Sequence, residues 1–289
     1  MGPNIHFFPT LHSTFGNSAF VIPPPHFAQP HKNAPLLLPP NGLAAMKRER
    51  FPQPMPPPFV PFSATHAWAL VAGVVGIAAL IALAKSGERN ERIARSILAF
   101  LCFAAFAYTQ AAWSTVDGGD ADLDSALPLH LCDIAAFIGG FALLTGKRLL
   151  ATLTYFWGLA ATVQALATPA ISVGFPHPAF IAFFIHHFAV VGAAFYLPVV
   201  CGWRAERPWW KTPLQAWLWG NLYLAIAMGV NIWLGTNFGF ASRKPVNPSL
   251  LDHMGPWPVY LLWMQVIAAI LFSLLALPVL RRREEGHDR

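Results

Sequence analysis

The sequence predicts an all-α protein, a polytopic bundle of seven transmembrane helices that follows a disordered, proline-rich N-terminal extension. Of its 289 residues, 55% are hydrophobic and only 11% are charged, whereas a soluble domain carries about 25% charged residues. From Ser63 onward, apolar stretches recur at the length of about 20 residues that a helix needs to cross a bilayer. Composition therefore excludes a soluble enzyme and a disulfide scaffold, and it favours an integral membrane protein.

Residues 1–62 form the predicted extension. Fifteen of the 27 prolines lie between Pro3 and Pro61. Proline removes backbone donors and favours polyproline II, so we expect an extended, disordered segment rather than a folded domain. Met46 and Met55 are alternative start positions within it.

The membrane domain is predicted over residues 63–280, followed by a basic cytoplasmic tail at 281–289. Asp133 is the one formally charged residue within all of the predicted spans. Such a near-absence of charge is typical of helices in hydrocarbon. The seven spans are 64–84, 96–116, 127–146, 149–168, 179–201, 212–235 and 256–280.

The distribution of basic residues predicts the orientation. Arginine and lysine concentrate in the loops after spans one, three and five and after span seven, while loops 117–126 and 169–178 contain neither. Under the positive-inside rule, this predicts an outer N-terminus and an inner C-terminus in a bacterial cytoplasmic (inner) membrane. The net charge of +6 is thereby explained without nucleic acid, and membrane lipids are the expected partners. Protein partners stay undefined.

Polar residues inside the predicted spans are the candidates for function, because each is costly in lipid without a partner. With the predicted topology, most of them fall at a similar depth in the outer half of the bilayer. This clustering predicts a polar cavity between facing helices. The candidates are His130, Cys132, Asp133, Gln164, His186, His187 and Asn231.

Cys132 is the candidate nucleophile. We expect Pro128 in the first turn of span three, and His130 and Asp133 on one face of that helix within hydrogen-bonding reach. Cys132 points elsewhere on the helix, so its base should come from another span. His187 and His186 are the candidates, with Asp133 or Gln164 as the orienting group. The alternative is that Cys132 is a small apolar filler, as we take Cys102 and Cys201 to be.

The sequence predicts no cofactor and no metal site. It contains no Walker loop, no Gly-rich dinucleotide turn and no zinc-type cysteine cluster. A metal held by His130, Asp133 and His187 would lack any recognised ligand spacing.

The loop before the last span is long, about twenty non-helical residues. Arg243 and Lys244 lie in this loop on the predicted outer side. These two cations either bind a lipid phosphate headgroup or are tolerated without a partner.

Several ordered motifs resemble the YwaF-like bacterial integral membrane proteins, a family related to eukaryotic transmembrane protein 164. The resemblance covers roughly residues 60–280. The motifs are Leu127-Pro-Leu-His-Leu-Cys-Asp133, Tyr155-Phe-Trp-Gly-Leu159, Gln164-Ala-Leu-Ala-Thr-Pro169, Phe175-Pro-His177, Phe183-Phe-Ile-His-His187 and Gly255-Pro-Trp-Pro258.

The eukaryotic relative looks like a phospholipid-dependent acyltransferase that uses a membrane cysteine and a histidine, and the resemblance implies the same chemistry for this chain. More distant relatives are lipid hydrolases with a threonine nucleophile. Carried onto this chain, the nucleophile position falls on Cys132 and the histidine on His187. The chain departs from the family pattern at Ala170, at Phe238 and Phe240, and at His186, which is an extra histidine.

Three functions follow as expectations. The first is a Cys132/His187 acyltransferase or lipid hydrolase that acts on phospholipid acyl chains near the outer leaflet. The alternative is a non-enzymatic carrier or small-molecule binding protein that uses the same cavity. The third is an assembly partner recruited through the proline-rich segment.

Overall fold

The computed structural model describes residues 57–113, 116, 123–245 and 248–280, and over these residues the chain is helical without any β-strand. The all-α prediction is confirmed. The predicted disorder of residues 1–56 and the predicted tail at 281–289 concern residues outside this range. The α-helices are α1 (Ala64–Lys85), α2 (Glu88–Trp113), α3 (Leu123–Ala126), α4 (Leu131–Thr145), α5 (Arg148–Trp157), α6 (Val163–Ala167), α7 (Pro178–Val199), α8 (Lys211–Leu234) and α9 (Val259–Ala276).

The described helices account for the seven predicted spans. Six helical runs are long and apolar enough to cross a membrane, and α4 is a shorter apolar helix. One of the six is composite, because a π-helical segment, Gly158–Thr162, joins α5 to α6. The sequence did not reveal this π segment.

The second span begins earlier than predicted. The predicted loop 85–95 is wrong, since only Ser86 and Gly87 separate α1 from α2. Charged residues continue a helix once it has left the hydrocarbon, and acidic residues in a first turn favour the helix dipole. Glu88 and Glu91 occupy that turn.

The third span is shorter than predicted. It was expected over 127–146, but α4 has 15 residues, which is about 22 Å at 1.5 Å per residue. Pro128 lies in the turn before the helix, not in its first turn. His130 is the N-cap residue with extended backbone, and Gly146 ends the helix at a φ of +63°.

α7 lies at the centre of the bundle and packs against α1, α2, α4 and α5. Small residues line these contacts and let the backbones approach closely. On α4 they are Ala135, Ala136, Gly139 and Gly140, and on α7 they are Ala189, Gly192, Ala193 and Ala194.

α8 and α9 pack against each other at the side of this core. Two aromatic residues of α5 attach them to it. Trp157 donates from its indole nitrogen to the carbonyl of Ala216 at 3.2 Å, and the hydroxyl of Tyr155 donates to the carbonyl of Leu275 at 2.8 Å.

The end of the predicted extension contacts the membrane domain. Pro58 and Val173 form an isolated antiparallel bridge, and the Phe59 N–H donates to the carbonyl of Ser172 at 3.1 Å. These contacts fix the chain before Ser63 against the loop between α6 and α7.

Candidate functional site

The candidate nucleophile lies in the first turn of α4. The Cys132 thiol, the Asp133 carboxylate and one ring nitrogen of His186 all lie within 4.8 Å of one another. Asp133 and His186 are buried, whereas Cys132 is partly exposed. The fold therefore unites the thiol with the histidine that the family pattern does not require.

The position of this group shows how deep α4 begins. His186 is the ninth residue of α7, so it lies about 12 Å along that helix. Because the start of α4 contacts His186, the N-terminus of α4 lies well inside the bundle. The positive end of a helix dipole is thus directed into the interior beside the thiol.

His186 is held between two helices. Its Nε2 lies 3.2 Å from the carbonyl oxygen of Cys132 and 3.7 Å from Oδ1 of Asp133. Its Nδ1 lies 3.4 Å from Oγ1 of Thr109 on α2. A carbonyl only accepts, so Nε2 carries a proton and, in the neutral ring, Nδ1 accepts from the Thr109 hydroxyl. In this tautomer the basic nitrogen of His186 faces Thr109, not the thiol.

His187 has the opposite arrangement. Its Nδ1 lies 2.8 Å from the carbonyl of Phe183, and its ring stacks on that of Phe183 with 4.0 Å between centroids. Nδ1 therefore donates, and the neutral ring keeps its lone pair on Nε2. No residue in the described part of the chain forms a hydrogen bond with this Nε2. The rings of His186 and His187 lie 5.4 Å apart.

The His130 side chain does not pair with Asp133 as expected. Its Nε2 donates to the carbonyl of Asp124 at 3.2 Å, and its ring contacts those of Phe238 and Phe240. As the N-cap residue, His130 precedes the helical face that it was predicted to share with Asp133.

Asn231 organises the loop after α8 instead of lining the thiol cluster. Its side-chain amide donates to the carbonyl of Phe238 at 3.0 Å, and its oxygen accepts from the Phe238 N–H and the Thr236 hydroxyl. Asn237 continues this network by accepting from the N–H groups of Ser242 and Arg243. The loop that we expected to be irregular is thus held by asparagine side chains, and it contains 3₁₀ turns at Phe238–Phe240 and Leu250–His253.

A glycine lets this loop pack against α8. Gly239 has a φ of +64°, and a Cβ there would lie 2.9 Å from the Tyr223 hydroxyl. That hydroxyl donates to the carbonyl of Leu129 at 3.0 Å. Tyr223 thereby connects α8, the loop and the segment that leads into α4.

The two loop cations have partners within the protein. Arg243 lies 3.2 Å from Oδ2 of Asp124, and Nζ of Lys244 lies 5.8 Å from the centroid of the Tyr260 ring. Both are therefore accounted for by intramolecular contacts, and headgroup binding by them stays a prediction.

The remaining candidate, Gln164, does not join the cluster, and neither do three other polar side chains of the described helices and loops, Asn221, Cys102 and Cys201. Gln164 is exposed on α6. Asn221 donates to the carbonyl of Trp217 in its own helix at 2.9 Å. The Cys102 thiol is buried and donates to the carbonyl of Ala189 at 3.6 Å, while Cys201 is exposed.

Sequence reasoning missed Thr109, Asp124 and Phe183. Thr109 is an ordinary residue in an apolar helix, and the contribution of Phe183 is a backbone carbonyl, so neither leaves a pattern in the sequence. Asp124 offered a signal as an acidic residue close to the start of span three, but its partners lie far away in sequence.

Comparisons with known proteins bear on the chain as a whole. A family model, described as the TMEM164 family, matches residues 61–276, which is more than half of the chain. The relation to transmembrane protein 164 that the motifs predict is confirmed, and the bacterial YwaF-like label is compatible with it. Comparisons with curated proteins and with solved structures each gave no match.

Proposed function

This chain belongs to the TMEM164 family, and we propose that it is a multi-pass membrane enzyme that transfers or hydrolyses a phospholipid acyl chain through the Cys132 thiol. The observation that carries the proposal is the placement of the Cys132 thiol at a helix N-terminus inside the bundle, beside His186, whose ring lies 5.4 Å from that of His187. A helix N-terminus and a neighbouring histidine are the two features that favour a reactive thiolate.

The tautomers assign different roles to the two histidines. His187 has its lone pair on Nε2 because Nδ1 donates to Phe183, so it is the proposed general base. It takes the thiol proton directly or through one water molecule. His186 holds the backbone of Cys132 and connects it to α2 through Thr109, so it is the proposed positioning residue.

The reaction follows from these roles. The thiol proton passes to Nε2 of His187, and the sulfur attacks the ester carbonyl carbon of a phospholipid. The ester C–O bond breaks, the leaving oxygen takes the proton back, and a Cys132 thioester remains. A lipid hydroxyl or water then attacks the thioester and regenerates the thiol. Backbone N–H groups at the start of α4 are the proposed oxyanion donors.

Asp133 sets a condition on this chemistry. A carboxylate and a thiolate within 4.8 Å of each other repel strongly in an interior of low dielectric constant. Asp133 is therefore proposed to be protonated or paired with a protonated His186 when the thiolate forms. In either state its role is to orient His186.

The topology is part of the proposal. With the N-terminus outside, the start of α4 opens toward the outer leaflet, and a phospholipid enters from there. The proposed location is the cytoplasmic membrane of a bacterium. The alternation of basic loops supports this orientation.

Trapping of the thioester tests the function. Membranes with the full-length protein are incubated with phosphatidylcholine that carries an alkyne-tagged acyl chain, and the tag is detected on the protein. We expect a tag that neutral hydroxylamine removes and that Cys132→Ala abolishes. Cys201→Ala is the matched control, because Cys201 is an exposed cysteine outside the cluster.

Two results would count against the enzyme. Tagging that survives Cys132→Ala would show that another residue accepts the acyl chain. Lipid movement that survives Cys132→Ala without any acyl tagging would instead favour the carrier.

A further inference from the structure

The cluster at the start of α4 joins three different metal-ligating groups. Cys132 and Asp133 come from α4 and His186 from α7, and their donor atoms lie within 4.8 Å of one another. This set differs from the combination of His130, Asp133 and His187, for which the sequence shows no recognised ligand spacing. Only the bundle brings residues 54 positions apart together.

We propose that Cys132, Asp133 and His186 bind a single zinc-type divalent cation, which occupies the thiol and blocks its access to other reactants. A mixed thiolate, imidazole and carboxylate set suits Zn²⁺, which takes sulfur, nitrogen and oxygen ligands together. Three protein ligands leave the fourth position to water. The inference does not rest on the acyl-transfer proposal, because it needs only these three side chains.

Charge favours the ion in this place. One thiolate and one carboxylate neutralise a divalent cation, so the bound group is neutral overall. A neutral group costs far less to bury between apolar helices than an unpaired charge. The thiol proton leaves to solvent when the metal binds.

The hydrogen bonds of His186 allow the required tautomer. At present Nε2–H donates to the carbonyl of Cys132, and this nitrogen must lose its proton to become a ligand. The proton then resides on Nδ1, where Oγ1 of Thr109 lies 3.4 Å away. A hydroxyl accepts as readily as it donates, so Thr109 serves both tautomers. Oxygen acceptors of this kind commonly orient metal-binding histidines.

The three residues differ in their exposure. Asp133 and His186 are buried, while Cys132 is partly exposed. Occupancy by the ion withdraws the sulfur lone pair from any electrophile.

Binding is tested with Cd²⁺ and Zn²⁺ on the purified full-length protein in lipid nanodiscs. Cd²⁺ reports through the ultraviolet thiolate-to-metal absorption, and Zn²⁺ through equilibrium dialysis. We expect one ion per chain, no thiolate-to-metal absorption in Cys132→Ser, and at least tenfold weaker binding in Asp133→Asn and His186→Gln. Thr109→Val should weaken binding by about tenfold. His187→Gln and Cys201→Ser are the matched controls and should bind normally.

Protection of the thiol gives a second readout that needs no enzymatic activity. Alkylation of Cys132 by a maleimide should slow when Zn²⁺ is present and recover after a chelator. Thermal unfolding of each variant confirms that it is folded. The proposal is overturned if binding is absent, if it persists in Cys132→Ser, or if Asp133→Asn and His187→Gln bind equally well. Failure of acyl tagging alone leaves these readouts unchanged and bears only on the proposed enzyme.

Discussion

α1 and α7 are both apolar helices of 22 residues, yet they occupy opposite environments. In the most apolar stretch of α7, 78% of the residues are buried in the bundle, against 6% in α1. Hydropathy therefore identifies both as membrane helices without telling which one faces lipid. The difference lies in the side chains, since α7 carries small residues and paired histidines, while α1 exposes Val71, Val74 and Val75.

The contrast extends to the histidines of the two helices. His66 of α1 is fully satisfied, because its Nδ1 accepts from the Phe62 N–H and its Nε2 lies 2.9 Å from the carbonyl of Leu166. Among the described residues, His187 of α7 forms a side-chain hydrogen bond through Nδ1 alone. A buried histidine with both nitrogens engaged serves the structure, whereas one with a free lone pair is available for proton transfer.

The largest expected effect tests this distinction. We expect His187→Gln to reduce acyl tagging of Cys132 by about 100-fold or more, because it removes the proposed base. His66→Gln should lower the unfolding temperature and leave the tagging rate of the folded protein close to that of the wild type. Both are measured by initial tagging rates and by thermal unfolding in detergent. Equal tagging by the two variants would remove the distinction between the helices.

A pair of glycines tests the packing contrast. At Gly158, beside α7, a Cβ would lie 2.9 Å from the Cβ of Ala194 and 3.3 Å from the backbone oxygen of Val190, while at Gly76 of α1 it would meet nothing within 4 Å. Gly158→Leu should destabilise the protein by about 1–3 kcal/mol through overpacking. Gly76→Leu should be close to neutral. Denaturant titration of both variants gives the comparison, and equal losses would contradict it.

Two asparagines of α8 extend the comparison, because Asn231 is buried and Asn221 is only partly buried. Asn231→Ala should cost about 1–3 kcal/mol, because it leaves the Phe238 N–H without its acceptor in a buried position. Asn221→Ala loses only a contact to its own helix and should cost much less. Proteolysis between α8 and α9 reports on the loop directly. Unchanged cleavage in Asn231→Ala would show that the loop does not depend on this side chain.

The smallest effect is expected outside the bundle. Glu206 lies 3.0 Å from Nζ of Lys211 and 2.6 Å from Nε of Arg148. The hydrogen bond from Lys211 and the charge of Arg148 lower the pKa of Glu206. This stabilisation is present above the ordinary carboxyl pKa and is lost as the pH falls through the lowered value.

Glu206→Gln should therefore cost less than about 1 kcal/mol at neutral pH, as exposed ion pairs do. The difference from the wild type should vanish in acid. Unfolding temperatures across an acidic titration measure it. A loss of stability as large as that of Gly158→Leu would mean that this exposed ion pair contributes as much to stability as the packing of the buried helices.

The sequence predicted the helices better than their ends. Apolar length identified every span, but the start of α4 was misplaced because Pro128 suits a first turn as well as the turn that precedes a helix. Likewise, hydropathy assigns the charged residues at the start of α2 to a loop, although helices continue into the headgroup region. Helix ends depend on capping and local contacts, which hydropathy does not record.

The candidate site was predictable as a set of residue types but not as a set of partners. Asp133, Cys132 and His186 were named from their cost in lipid, and the structure brings them together. Asn231 was predicted on the same ground, but it lies elsewhere because a buried amide is satisfied equally well by a loop. Gln164 is exposed on α6. Cost in lipid shows that a residue needs a partner, but it does not say which one.

The sequence by itself determined that this protein is a multi-helix membrane protein related to transmembrane protein 164, because apolar length and ordered motifs are local properties of the chain. Only the tertiary structure decided that α7 is central, that α4 begins inside the bundle, and that the two adjacent histidines present different nitrogens. These depend on which helix faces and backbone carbonyls meet, and such contacts join residues that are far apart in sequence.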